Sequence, residues 1–217
     1  MKKPLCHAIV SVIVLIGCSK KHTISPLPTP VIINGTSYPT VVIGNQTWTS
    51  MNYDGAGGMS LNNDPTQDLV YGKYYTVAES QSVQLPTGWR IPTANDFITL
   101  HNTVGGKQLA AGQEIVTDST QLKLMSTTGW YGAGGSNTSG FNALPAGCYH
   151  QQYSYPSPSV FEGQQVTAVF LTSTQQSSTL LATSFFLYQQ IHFFECGFPA
   201  YITSPTDRAS LRFVRDN

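Results

Sequence analysis

Only one good stretch of this chain of 217 residues repeats apolar side chains at helical spacing. Phe97, Leu100, His101 and Val104 recur at intervals of three and four, the period of a helix buried along one face. Ile91-Pro92-Thr93 leads into it. Thr93 caps the first turn, Asp96 three residues on makes the Asp variant of a capping box, and Gly105-Gly106 ends the helix. Gln121 to Met125 reads as a second, short helix. The rest must be strands and turns. Val41-Val42-Ile43, Gly44-Asn45 and Gln46-Thr47-Trp48-Thr49 read as two strands about a tight turn. Phe141 to Leu144, Val166 to Leu171, Leu180 to Tyr188 and Ser210 to Arg215 read as further strands, and glycine-rich Trp130 to Gly140 as a loop. The expected class is α+β: a dominant, mainly antiparallel sheet with one or two helices and long loops.

Charge excludes one function at once. Only 10% of residues are charged, 11 Lys+Arg against 11 Asp+Glu, so no basic footprint for nucleic acid exists. Hydrophobic residues make up 41%, and 10 Phe, 11 Tyr and 3 Trp suffice for a core. Polarity carried by Ser, Thr, Gln, Asn and Gly suits an exported, β-rich domain.

The N-terminus supplies an address. Met1-Lys2-Lys3 is a basic leader and Ala8 to Ile16 an apolar run too short for a comfortable bilayer span. Leu15-Ile16-Gly17-Cys18 resembles the bacterial lipobox, in which cysteine is acylated and becomes the mature N-terminus. The expectation is a signal peptide over 1–17 and a Cys18 carrying palmitate-like chains that anchor the protein in the bacterial cell envelope. An uncleaved anchor and an ordinary secretory signal are the alternatives. No acidic cluster follows Cys18, which favours the periplasmic face of the outer membrane over the cell surface. Pro26, Pro28, Pro30 and Pro39 mark 18–39 as an extended tether, leaving 40–217 as one domain.

Several local patterns share a further likeness. They are Val42-Ile43-Gly44-Asn45-Gln46-Thr47-Trp48 to Asn52, Tyr71-Gly72-Lys73-Tyr74-Tyr75-Thr76, and Leu85-Pro86-Thr87-Gly88-Trp89-Arg90-Ile91-Pro92-Thr93. Later come Leu122-Lys123, Thr128-Gly129-Trp130, Ser139-Gly140-Phe141-Asn142-Ala143-Leu144-Pro145-Ala146-Gly147, and Ser210-Leu211-Arg212-Phe213-Val214-Arg215-Asp216. In this order they resemble the Fibrobacter succinogenes major paralogous (FISUMP) domain. The resemblance implies a C-type-lectin-like architecture, distantly related to the formylglycine-generating fold. It also implies cysteines where this chain has Leu85 and Phe213, as if an apolar contact replaced a bridge. Trp48, Trp89 and Trp130 each sit beside turn residues and are expected to pin loops to the core, with ligand stacking as the alternative.

Besides Cys18, the mature chain expected after cleavage holds two cysteines, Cys148 and Cys196. In an oxidising envelope they are expected to pair, closing a loop worth roughly 4 kcal/mol; two buried thiols are the alternative. No metal or cofactor is expected: C-x-x-C, H-x-x-x-H and H-E-x-x-H are absent, His22, His101, His150 and His192 are scattered, and Asn62-Asn63-Asp64-Pro65 with Asp68 reads as turn chemistry before calcium chemistry. No G-x-S-x-G elbow or phosphate-binding loop appears, so catalysis is not expected. Two classes remain. One is a non-catalytic binding or adhesion domain, taking a glycan or an envelope protein through Asn137, Tyr149, Tyr153 and Tyr155. The other is a structural envelope lipoprotein or a subunit of a larger assembly, with those loops merely solvated.

Overall fold

The computed structural model describes residues 28–106, 115–116, 120–151, 160–175, 182–188, 193–198 and 204–217. The signal peptide, Cys18, Tyr153 and Tyr155 lie outside the described residues.

The first elements among the described residues form a hairpin, β1 (Val31–Ile33) and β2 (Thr36–Tyr38), paired Val31 to Tyr38. Its turn is Asn34-Gly35, with φ of 49° and 83°, the left-handed pair that a two-residue hairpin demands. This corrects the tether: Val31, Ile33 and Tyr38 are buried in the core, so the folded unit includes residues expected to be linker. Proline governs only the approach to the hairpin and the link at Pro39. A second hairpin, β3 (Thr40–Ile43) and β4 (Gln46–Thr49), follows as expected.

Next come α1 (Asp68–Tyr71), β5 (Tyr74–Tyr75), α2 (Val77–Gln81) and α3 (Ala94–Thr103). The expected capping box of α3 is complete, with Thr93 and Asp96 each bonding the other's backbone N–H, and Phe97, Leu100 and His101 are fully buried. The rest of the chain supplies β6 (Ile115–Val116), α4 (Thr120–Leu124), β7 (Cys148–His150), β8 (Val160–Glu162), β9 (Thr167–Gln175), β10 (Ala182–Tyr188), β11 (Phe193–Phe198), β12 (Arg208–Ser210) and β13 (Val214–Asp216).

The large sheet runs β6-β11-β10-β9-β12-β7-β8, with β5 also on β12; a three-stranded sheet runs β13-β4-β3. Apart from the β12–β9 contact, every strand pair is antiparallel. Alternation along β9 sends Ala168 and Phe170 toward Trp48, Phe97 and Phe141, and Val169 and Leu171 toward Tyr53, Tyr75 and Phe213. β9 is thus covered on both faces. Trp48 and Trp130 are core residues, as expected, while Trp89 is only half-buried.

Two strand expectations fail, for one reason. Ser210 to Arg215 is not one strand: β12 belongs to the large sheet, β13 to the small one, and the chain crosses between them at Leu211 to Phe213. Phe141 to Leu144 forms no strand beyond a bridge at Ala143. Arg212 stands between these segments, wholly buried. Its Nε donates to Asn52 Oδ1 (2.7 Å), Nη1 to the carbonyls of Thr49 (2.7 Å) and Phe141 (2.9 Å), and Nη2 to that of Asn142 (2.8 Å). The cation also lies over the rings of Phe141 (5.0 Å) and Phe170 (5.6 Å). Carbonyls that a strand would pair with N–H groups are given to a guanidinium instead. Burial pulls the Arg212 pKa down to about 9, which leaves it cationic at neutral pH.

Arg212→Lys is therefore expected to cost about 3–5 kcal/mol in urea unfolding, because one ammonium cannot reach four acceptors on three segments. Arg215→Ala, three positions on and exposed, is expected to cost less than about 1 kcal/mol. A Lys variant within about 0.5 kcal/mol of the wild type would refute this role for Arg212.

Candidate functional site

Of the sequence-predicted ligand-binding residues, Asn137 and Tyr149 lie among the described residues. Asn137, in the left-handed region at φ 48°, accepts the Asn142 N–H at 2.8 Å and so braces the turn whose carbonyls hold Arg212. Tyr149, on β7, lays its ring 5.0 Å from that of Phe161. Both are half-buried and both have structural work. In the segment weighed for calcium, Asp64 caps a short 3-10 turn through Thr66 N–H (3.0 Å), and Asp68 accepts from Ser60 (3.1 Å). Among the described residues no three His, Cys, Asp or Glu side chains are placed to hold a metal ion.

The disulfide expectation is overturned. Cys148 is a free, buried thiol. By the shortest route, Gly147 bridges β9, β9 pairs β10, and β10 pairs β11, which carries Cys196. Three strand steps span about 14 Å, beyond the roughly 7 Å between Cα atoms that a disulfide allows. Leu85 and Phe213, by contrast, do join the same hydrophobic cluster.

Cys148 has partners that spacing did not suggest. Its Sγ is 3.3 Å from His150 Nε2, and His150 Nδ1 is 3.5 Å from Asp207 Oδ2. Asp207 is itself fixed by the backbone N–H groups of Gln151 (3.2 Å) and Ser204 (2.9 Å). Thiol, imidazole and carboxylate stand in the order that activates a nucleophile, but the environment acts against it. Burial, with the carboxylates of Glu162 and Asp207 adding to it, pushes the thiol up to about 12, so it keeps its proton, and no part of Cys148 reaches solvent.

An open groove lies elsewhere, on the outer face of the small sheet. Register places Val42, Thr47 and Arg215 in one row across β3, β4 and β13, while Val41, Trp48 and Val214 point inward. That row floors a recess of about 580 Å³, walled by Pro28 to Ile32 on one side and Pro86 and Trp89 on the other. Val42 and Ile32 are half exposed within it, at 50% and 54%. The Arg215 guanidinium lies 5.5 Å from the Trp89 ring. Gly88, beside the Arg215 stem, takes φ +85°, a backbone conformation that glycine adopts without strain.

Trp89 is held by its neighbour. The backbone N–H and C=O of Arg90 pair with those of Val214, both at 3.0 Å. Its guanidinium grips Asp96 through two bonds and reaches Asp216 at 3.0 Å. Burial would raise the Asp96 pKa, but the bonds from Arg90 and Thr93 outweigh it and hold the carboxyl below its usual value. The groove residues Thr47, Trp89 and Arg215 were missed as a site because they come from three distant segments. The usable signal was strand alternation beside the inward Trp48 and Val214.

An α+β domain with an open groove and a sealed thiol is thus the class of protein defined here. The family model of the Fibrobacter succinogenes major domain matches residues 41–215, and the chain belongs to that family. No curated protein and no solved structure matches it. Among the described residues no helix is long and apolar enough to cross a membrane.

Native chain at pH 8 is expected to leave Cys148 unlabelled by iodoacetamide for hours and to label it at once in urea. Rapid native labelling, or a peptide linking Cys148 to Cys196 under non-reducing conditions, would show the thiol is not the sealed group described.

Proposed function

We propose that this chain is a lipid-anchored protein of the bacterial cell envelope whose folded domain binds a glycan without turning it over. The reading is carried by the groove: a recess within the usual range for ligand sites, with apolar walls, the Thr29 hydroxyl at its rim and a cation stacked on an indole. The protonated, inaccessible Cys148 supports the non-catalytic part, because it is the nearest approach to an activated nucleophile among the described residues. Anchoring rests on Leu15-Ile16-Gly17-Cys18. We also infer a C-type-lectin-like variant of the α+β fold, supported by the family membership and by the balance of one main helix against antiparallel sheets.

Cys18→Ala should abolish incorporation of radiolabelled palmitate and release the protein from membranes; undiminished labelling would remove the anchor from the proposal. On a glycan array the mature chain should capture at least one class of saccharide. Trp89→Ala should lower that capture by about tenfold or more, as truncation of a central aromatic does. Tyr131→Ala, 72% exposed and outside the groove, should leave capture intact. An array with no captured saccharide would overturn the binding reading.

A further inference from the structure

We infer that the ligand of this groove is an acidic saccharide, a sugar ring bearing a carboxylate, with Arg215 as the group that reads the charge. The inference rests on the glycan-binding reading above and adds the chemical class.

The argument starts from the scarcity of cations. Six Lys and Arg residues lie among the described residues, and five of them donate to oxygen atoms of the protein. Lys73 faces Gly55 O and Asp68, Arg90 holds Asp96 and Asp216, and Lys123 donates to Val104 O. Arg208 holds Glu79, and Arg212 its three carbonyls and Asn52. The Arg215 side chain donates no hydrogen bond and meets no carboxylate within 4.0 Å among the described residues. The nearest acid in sequence, Asp216, is turned to the other face of β13 and taken by Arg90. Arg215 is nevertheless positioned, by the Trp89 ring on its guanidinium and Gly88 under its stem. A planar fork of donors, oriented in advance and without a counter-ion, matches a carboxylate in two-point contact.

The rest of the groove says what carries that carboxylate. Pro28, Pro30 and Pro86 line it, and proline has no N–H to offer. An acidic peptide therefore finds few backbone donors along these walls for the ladder that extended peptides use. An anionic bilayer is also a poor match, because the surface is recessed and a lone arginine holds a membrane only weakly. A sugar ring needs an apolar patch for its C–H face and hydroxyl partners at its rim. Val42 and Ile32 supply the first and the exposed Thr29 hydroxyl the second, while Thr47 in the floor gives its hydroxyl to Asn217 Oδ1.

The test is calorimetry on the full mature chain with tetragalacturonic acid, and with the same oligomer methyl-esterified so that only its charge is removed. The acid should bind at least tenfold tighter than the ester, and 0.5 M NaCl should erase most of the difference. Arg215→Gln should bring the acid to the level of the ester, and Arg215→Lys should recover only part of the loss, since an ammonium lacks the fork. Equal binding of acid and ester would overturn the acidic class and leave the glycan reading standing. Binding to a poly-glutamate peptide or to phosphatidylglycerol vesicles, with neither saccharide bound, would overturn both. So would silence toward every probe from a chain whose melting temperature is native.

Discussion

A single buried guanidinium decides how this chain closes. Arg212 has no carboxylate partner among the contacts it makes; it is satisfied by three backbone carbonyls, one amide and two aromatic faces. A buried charge without such saturation would cost several kcal/mol, so the segments that supply the oxygens are fixed relative to one another. Those segments are the end of β4, the turn at Phe141 to Asn142, and Asn52, which also donates to Ser210 and to Tyr71 O. The result is a junction at which one sheet hands the chain to the other.

That junction sets the geometry of the groove. Because Leu211 to Phe213 is the crossing, β13 starts at Val214, and alternation then decides which way each side chain faces. Val214 turns into the core beside Trp48 and Arg215 turns out above Thr47. The clamp of Arg90 on β13, α3 and Asp216 brings Trp89 to the same face. An interior charge and an exterior one, three residues apart, thus have opposite tasks: Arg212 spends its donors on the protein, and Arg215 keeps them.

Much of this was legible from sequence wherever the cause was local. The capping box at Thr93 and Asp96, the helical period through His101 and the hairpin at Gly44-Asn45 depend on residues within a few positions, and each forms as read. Asn34-Gly35 carried the same local signal, but the prolines around it suggested a linker. What could not be read was long-range. Nothing within Phe141 to Leu144 says that its carbonyls belong to an arginine seventy residues away. The Cys148–Cys196 pairing failed likewise, because counting leftover cysteines says nothing about strand order.

Reactivity and accessibility are divided in this domain. Among the described residues the thiol–imidazole–carboxylate series of Cys148, His150 and Asp207 has its thiol wholly buried, and that burial keeps the thiol protonated. The open groove presents an indole, exposed aliphatic side chains, the Thr29 hydroxyl, the Asn217 side chain and a guanidinium. On the binding reading proposed above, the groove that would receive the ligand and the thiol–imidazole–carboxylate series are separate. Recognition needs only a positioned surface with an uncommitted charge. In a chain so poor in charge, leaving one oriented arginine without a partner is the feature that distinguishes this face from the remainder of the described surface.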